Sequence, residues 1–461
     1  MDFDQEDGKN MMMKGIWVNV VVLVTIAIAT KLVLQLWWRP RKVAKHYSNQ
    51  GIKGPPYNIF IGNMKELVEM MLKASSQPMT LSHNILPRVL PFYHHWKKLY
   101  GATYLIWFGP TPRLTIADPG QIREILSTKA EFYEKYESHP LVKKLEGHGL
   151  ISLKGDVWVH RRKTISPIFH LENLKMMIPI MGKSVAHMLD KWSLISNSGK
   201  VELEVSEWFQ NLTEEVITRT IFGASYDDGK KIYQLQAKQI VFAAESFQKV
   251  FFPGQRFLPT KRNRTTWKLD REIEASLMKL ISQRKETMHP QWQQLAREEV
   301  MRVCGARDIP TKDDVSNLKT LSMIISEVLR LYPPVVATIR RAKTQVDLGD
   351  INIKEETELL VPILAVHHDT TIWGPDASEF NPSRFSQGVS RAATHPTTFM
   401  PFGLGGRQCI GQNLALLQAK LAIAMILQKF TFEISPNYKH APTVLMLLYP
   451  QFGAPIIFRS L

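Results

Sequence analysis

Cys409 stands in a loop dense with glycine, with Gly403, Gly405 and Gly406 before it and Gly411 after it. Glycine in this density lets a backbone pass flat against a large ligand and turn its N–H groups toward a sulfur. Apolar residues at helical spacing follow at once: Leu414, Leu417, Leu421, Ala424 and Leu427. A thiolate near the start of a helix gains from the positive end of the dipole. With no second cysteine or histidine close by, a tetrahedral zinc site is excluded. A single thiolate does suit the axial position of a heme iron. The competing reading, a buried structural cysteine on a glycine turn, leaves the agreement of so many specified positions unexplained.

Further candidates lie along the chain. Trp158 and Arg162 share a helix face four residues apart, and alone they read as a core tryptophan beside a surface arginine. Glu327 and Arg330 lie at i, i+3 among Ile324, Ile325, Val328 and Leu329, so the pair is expected to be partly buried. His367 and His368 resemble metal ligands, but adjacent residues on a strand point to opposite sides, which favours a structural role or a contact to the cofactor's propionates.

The elements that carry these residues are mostly helical. The sequence predicts helices over His289–Gly305 and Leu318–Tyr332, the second stopped by Pro333-Pro334. It predicts a hairpin from Thr103–Phe108 and Arg113–Ala117 around Gly109-Pro110, a strand over Glu358–Val366, and C-terminal strands in TVLMLLYP and PIIFRS. Glu204–Phe222 and Ala243–Phe257 carry apolar residues at mixed spacing. The 461 residues, with 44% hydrophobic and 22% charged content, are globular values. Two cysteines exclude a disulfide framework and favour a reducing compartment. The formal net charge of +16 comes from scattered basic residues with no nucleic-acid motif, so nucleic acid is not an expected partner.

Residues 15–38 form an apolar run about one bilayer long, with Lys31 near one end and Trp37 and Trp38 at the boundary. Acidic residues precede it, in a tail of residues 1–14. Arg39, Arg41, Lys42 and Lys45 follow, which puts the remainder on the cytosolic side. A cleaved signal peptide is disfavoured by the absence of a small-residue cleavage site. Residues 39–56, ending in Gly54-Pro55-Pro56, are expected to form a basic, proline-rich hinge, with one domain over residues 57–461.

The pattern Phe402-Gly403-x-Gly-x-Arg407-x-Cys409-x-Gly411 resembles the heme-binding loop of the heme-thiolate monooxygenases, the cytochromes P-450. The likeness covers Lys31 to Leu461 with one break. It implies a mainly α fold with a small β region, in one large domain behind an N-terminal transmembrane helix. It implies heme b held by Cys409 as axial iron ligand, with Phe402, Gly403, Arg407 and Gly411 in the loop. Trp158 and Arg162, with Arg407, stand where the family meets heme propionates. Arg340 (or Arg341) lies in the matching β region and is taken as cofactor-binding. The resemblance makes Glu327 and Arg330 a structural pair locked to Arg384, with Ser383 a mild departure from the usual pattern. It further implies O2, NADPH–cytochrome reductase as electron donor, and the endoplasmic reticulum membrane. Runs such as FIGNMKELVEMMLKASSQPM and HAPTVLMLLYPQFGAPIIF are similar to the plant brassinosteroid 26-hydroxylase type, which implies oxidation of a steroid hormone side chain and hormone inactivation. Alternatives are a hydroxylase of a gibberellin or another terpenoid, a heme-binding protein without turnover, and a membrane interaction protein.

The break is an absence. The family's central helix carries Ala/Gly-Gly-x-Asp/Glu-Thr-Thr, and no such run lies between the substrate roof and the His289 helix. Asp369-Thr370-Thr371 is a decoy far downstream, and Thr265-Thr266 lacks the acid and the glycine. An internal deletion near residues 286–289 is therefore expected. It removes the proton-relaying acid and alcohol, so no catalytic residue is identified. It also leaves apolar core exposed at about 25 cal/mol per Å², against a typical stability of roughly 5–15 kcal/mol. The chain as written is expected to have negligible activity and to load heme poorly.

Overall fold

The computed structural model describes residues 3–136, 143, 146, 149–196, 199–222, 290–305, 307–444 and 447–461. The Ala243–Phe257 run, Thr265-Thr266 and the junction at residues 286–289 lie outside the described residues.

The chain opens with α1 (Phe3–Val33), the helix expected to cross a membrane. A five-residue π-turn, Leu34–Trp38, joins it to α2 (Arg39–Ser48) without interruption. Most of the expected hinge is therefore helix, and Val43 and Tyr47 of α2 are buried in the core. Among the described residues one helix is long and apolar enough to span a bilayer.

The body is helical with small sheets. The largest sheet contains β1 (Leu105–Phe108), β2 (Thr111–Thr115), β3 (Tyr133–Lys135), β4 (Thr338–Ala342) and β5 (Glu358–Val361), in the order β1-β2-β5-β4-β3. β1 and β2 form the expected hairpin, with Leu105 opposite Leu114. β2 runs parallel to β5, which is antiparallel to β4, and this register carries Arg340 opposite Leu359.

Four helices build the half of the body behind Cys409. They are α3 (Val205–Phe222), α4 (Pro290–Cys304), α5 (Lys319–Leu331) and α6 (Gln412–Lys429). Ala296 and Val300 of α4, Leu321 and Ile325 of α5, and Ala424 and Leu427 of α6 share one apolar cluster. Helical spacing fixed which faces meet. Glu299, buried on α4, accepts from the backbone N–H groups of Thr320 (2.8 Å) and Leu321 (3.0 Å), which stabilises the first turn of α5.

Two expectations are corrected. The Glu358–Val366 strand ends at Val361, because Pro362 has no N–H to continue the ladder, and Ile363–His367 is helical. In and beside TVLMLLYP two short strands pair antiparallel, Pro442–Val444 against Leu448–Pro450, where one strand was expected. Pro455–Ser460 is the middle strand of a separate sheet, between Lys200–Glu204 and Phe430–Ile434.

Candidate functional site

The Cys409 loop is shaped by its glycines. Gly403 and Gly405 have φ of 78° and 69°, the left-handed region that favours glycine. A Cβ on Gly405 would run into the Leu126 carbonyl oxygen, so the turn Gly405–Arg407 packs directly on another backbone. The Cys409 N–H donates to the Phe402 carbonyl (2.8 Å), closing the loop, and the Cys409 thiol is exposed. Gly411 ends the loop as N-cap of α6. The other cysteine, Cys304, is buried, and burial pushes its thiol up to about 11, which leaves it a poor nucleophile or ligand.

Three arginines surround this loop from different elements. The Arg407 guanidinium lies 4.2 Å from the centre of the Trp158 ring, and Arg162 lies 6.0 Å from it. Trp158 and Arg162 belong to the helix Gly155–Ile165. Arg340 comes from β4 and, among the described residues, donates only to neutral acceptors, Thr338 Oγ1 and the Ile339 carbonyl, both at 3.0 Å. Burial, and then the nearby Arg407, lower the Arg340 pKa to about 10. Burial and then Arg162 lower that of Arg407. Among the described residues no carboxylate forms an ion pair with any of the three. Uncompensated guanidinium groups held together favour a bound anion. One exposed thiol, a flat glycine loop and acid-free arginines are a donor set that fits heme with its two carboxylates.

A cavity of about 400 Å³ opens beside the loop, lined by Phe402, Leu212 of α3, Trp292 of α4, Ile325 of α5 and Ile423 of α6. Native interiors hold few voids larger than a water molecule, so among the described residues these four apolar helix faces border more open space than a packed interior leaves.

The Glu327–Arg330 pair is fully buried. Arg330 donates to both carboxylate oxygens of Glu327, from Nε at 2.8 Å and Nη2 at 2.7 Å. It also donates to the carbonyls of His367 and Ala377, both at 2.7 Å. Arg384 stands near this pair, with its Nε 3.5 Å from Glu327 Oε1, too long and misaligned for a hydrogen bond. Its closer partner is Asp376 (2.7 Å), which sequence reasoning missed: a loop acid eight residues before its arginine carries no periodic signal.

His367 and His368 are not on opposite sides of a strand. His367 Nε2 accepts from the Met400 N–H (3.0 Å) and its Nδ1 meets the Arg330 carbonyl (3.1 Å). His368 Nε2 meets the Leu331 carbonyl (2.9 Å). Both therefore clamp the end of α5. Among the described residues no group of three or more His, Cys, Asp or Glu side chains could hold a metal ion. Asp369 caps the turn Thr370–Trp373 by accepting from the Thr371 N–H (2.9 Å), which gives the decoy triplet a structural task.

Comparison with known proteins gives a consistent family. The cytochrome P-450 family model matches residues 87–291 and, separately, 287–451. The chain is 57% identical to cytochrome P-450 734A1 of Arabidopsis thaliana over 509 residues, covering 96% of this chain and 98% of that protein. It is 49% identical to cytochrome P-450 734A6 of Oryza sativa subsp. japonica over 508 residues, with 94% of each chain covered. It is 39% identical to cytochrome P-450 72A397 of Kalopanax septemlobus over 499 residues, covering 94% and 95%. Each aligned length exceeds the 461 residues of the whole chain, and the two family matches meet at residues 287–291.

Proposed function

The chain belongs to the cytochrome P-450 family, and from that premise we propose that it is a member built around Cys409 for oxidising a brassinosteroid side chain. The family binds heme, takes electrons from NADPH through a reductase, and uses O2 to oxidise lipophilic substrates. Heme, when bound, supplies the oxidative chemistry. This chain's residues hold and orient it: Cys409 as axial thiolate, Phe402, Gly403 and Gly411 shaping the loop, and Arg407, Arg340, Arg162 and Trp158 meeting its carboxylates. Glu327, Arg330 and Arg384 brace the elements behind them. The observation that carries this assignment is the one exposed thiol near three arginines that, among the described residues, have no carboxylate partner. The brassinosteroid reading rests on the whole-length likeness, and a gibberellin or another terpenoid is the second substrate class.

Residues 57–461 form the monooxygenase domain and residues 15–38 the anchor, set in the endoplasmic reticulum membrane with the body in the cytosol. The basic residues directly after α1 support that orientation.

We further propose that the chain as written lacks the central helix and its acid and alcohol, and is catalytically silent. Two observations support this: the family match breaks at residues 287–291, and α4, which begins at Pro290, lines an apolar cavity from its first turn. The alignment with the Arabidopsis protein contains at least 48 positions (509 less 461) that this chain does not fill.

The test compares the chain with a version carrying the Arabidopsis residues that fall in the gap. The restored form, reduced with carbon monoxide, is expected to show the red-shifted Soret band of thiolate ligation, and Cys409→Ala is expected to lose it. The chain as written is expected to give a weak band. A histidine-type spectrum, or a band that survives Cys409→Ala, overturns the assignment.

A further inference from the structure

The end of α5 and the start of the Cys409 loop share one side chain. The last helical bond of α5 runs from the Tyr332 N–H to the Val328 carbonyl (2.7 Å). The next two carbonyls, of Leu329 and Arg330, would take the N–H groups of residues 333 and 334. Both of those are proline and have no N–H. His367 supplies the donor that Arg330 lacks. Its Nε2 accepts from the Met400 N–H (3.0 Å), so the proton of the neutral ring sits on Nδ1, which donates to the Arg330 carbonyl (3.1 Å). One planar ring thus serves an orphaned helix carbonyl with one nitrogen and a loop N–H with the other.

The ring is held from every side. His367 is fully buried, stacks on Phe399 with centroids 5.8 Å and planes 18° apart, and meets Trp373 edge to face at 6.2 Å. Its own carbonyl accepts from Arg330 Nη1 (2.7 Å), and the Trp373 indole N–H donates to the Val366 carbonyl (3.0 Å). From Met400 a short bonded path leads to the cysteine. The Met400 carbonyl accepts from the Gly403 N–H (3.0 Å), and the Phe402 carbonyl accepts from the Cys409 N–H (2.8 Å). Pro401 lies between Met400 and Phe402; its ring fixes φ there and restricts the backbone of Met400. A path this stiff carries the placement of the ring on to the thiol. His368 differs: its Nε2 meets the Leu331 carbonyl (2.9 Å), and its Nδ1 has no partner among the described residues.

We propose that His367 is a positioning residue for heme ligation: by holding the Met400 N–H it fixes Phe402, and through the Phe402 carbonyl the backbone that aims the Cys409 sulfur. The Nδ1 end of the ring anchors it to α5, and the Nε2 end sets the loop. The proposal rests on the reading of Cys409 as the heme ligand and adds a residue outside the glycine-rich pattern. Its two ends can be separated by substitution. Glutamine places an amide oxygen near the Nε2 position and keeps an acceptor for Met400. The shorter asparagine places an amide nitrogen near the Nδ1 position and keeps a donor for Arg330. A histidine that only fills the core would feel both losses alike, whereas one that positions the loop feels the second far more in the loop.

The test uses the full chain as written, purified in detergent, beside His367→Gln, His367→Asn and His368→Asn. Deuterium uptake at the Met400 and Cys409 amides reads the loop without heme, and titration with hemin reads ligation. His367→Asn is expected to exchange these amides about tenfold faster and to bind hemin about tenfold more weakly, as loss of one buried hydrogen bond implies. His367→Gln and His368→Asn are expected to keep the parent values of both. Parent exchange rates in His367→Asn overturn the proposal, and so do equal losses in His367→Gln and His367→Asn. If His367→Asn does not fold, His367→Gln decides alone: parent exchange and hemin affinity with a lowered Tm uphold the proposal, and loss of either overturns it. A parent chain that takes up no hemin contradicts the heme reading, and amide exchange then judges His367 by itself.

Discussion

At the scale of single residues, Glu327 holds the most demanding position. Its carboxylate is fully buried and satisfies two Arg330 donors together with the Asn381 N–H (2.9 Å). Removing one partner of such a pair strands the other charge, at about 3–5 kcal/mol. That is a large part of a typical stability. Glu327→Ala is therefore expected to abolish folded protein, read as loss of a cooperative thermal transition, whereas an unchanged Tm would show that the carbonyl partners of Arg330 suffice. The adjacent histidines make a second prediction. Burial, the largest cause for both, depresses the folded pKa to about 3 for His367 and about 4 for His368, from an ordinary 6.5. The unfolded chain then binds more protons than the folded one below pH 6.5, so stability falls as pH drops from 6.5 toward 4. The slope is at most about 1.4 kcal/mol per pH unit for each histidine. Denaturant midpoints across this window check it, and His368→Gln is expected to flatten the slope, while an unchanged slope would place the protons elsewhere.

At the scale of elements, the Cys409 loop depends on one turn. Gly405 combines a left-handed φ with a backbone neighbour where a Cβ would sit. Gly405→Ala is expected to displace the loop and lower heme occupancy in the restored chain several-fold, read from the carbon monoxide spectrum, with unchanged occupancy as the contrary result. This loop was legible in the sequence because glycine spacing and a lone cysteine are local signals. The helices α4 and α5 were legible within a residue or two because an apolar stripe is periodic. Less visible were features fixed by partners distant in sequence. Nothing in Asp376 announces Arg384, and in TVLMLLYP no glycine or internal proline separates the residues of the two paired strands. Pro362 did mark the end of β5, but the apolar residues on both sides of it read as one strand.

At the scale of the molecule, two features extend beyond any single element. The helical run from Phe3 to Ser48 makes anchor and body one continuous unit. Behind Cys409, α3, α4, α5 and α6 border a space lined by apolar side chains, and in the sequence the two family matches meet at residues 287–291. Under the proposed function, Cys409 and its arginines would hold heme while the acid and alcohol of the central helix would be missing, so heme binding and proton delivery would separate in this chain. The direct measurement is turnover. Microsomes supplied with NADPH and its reductase would receive the chain as written, the chain with the Arabidopsis segment restored, and the restored chain with Cys409→Ala, each given a brassinosteroid and, separately, a gibberellin. The expected result is side-chain oxidation of the brassinosteroid by the restored chain alone. Equal turnover by the chain as written would contradict the account.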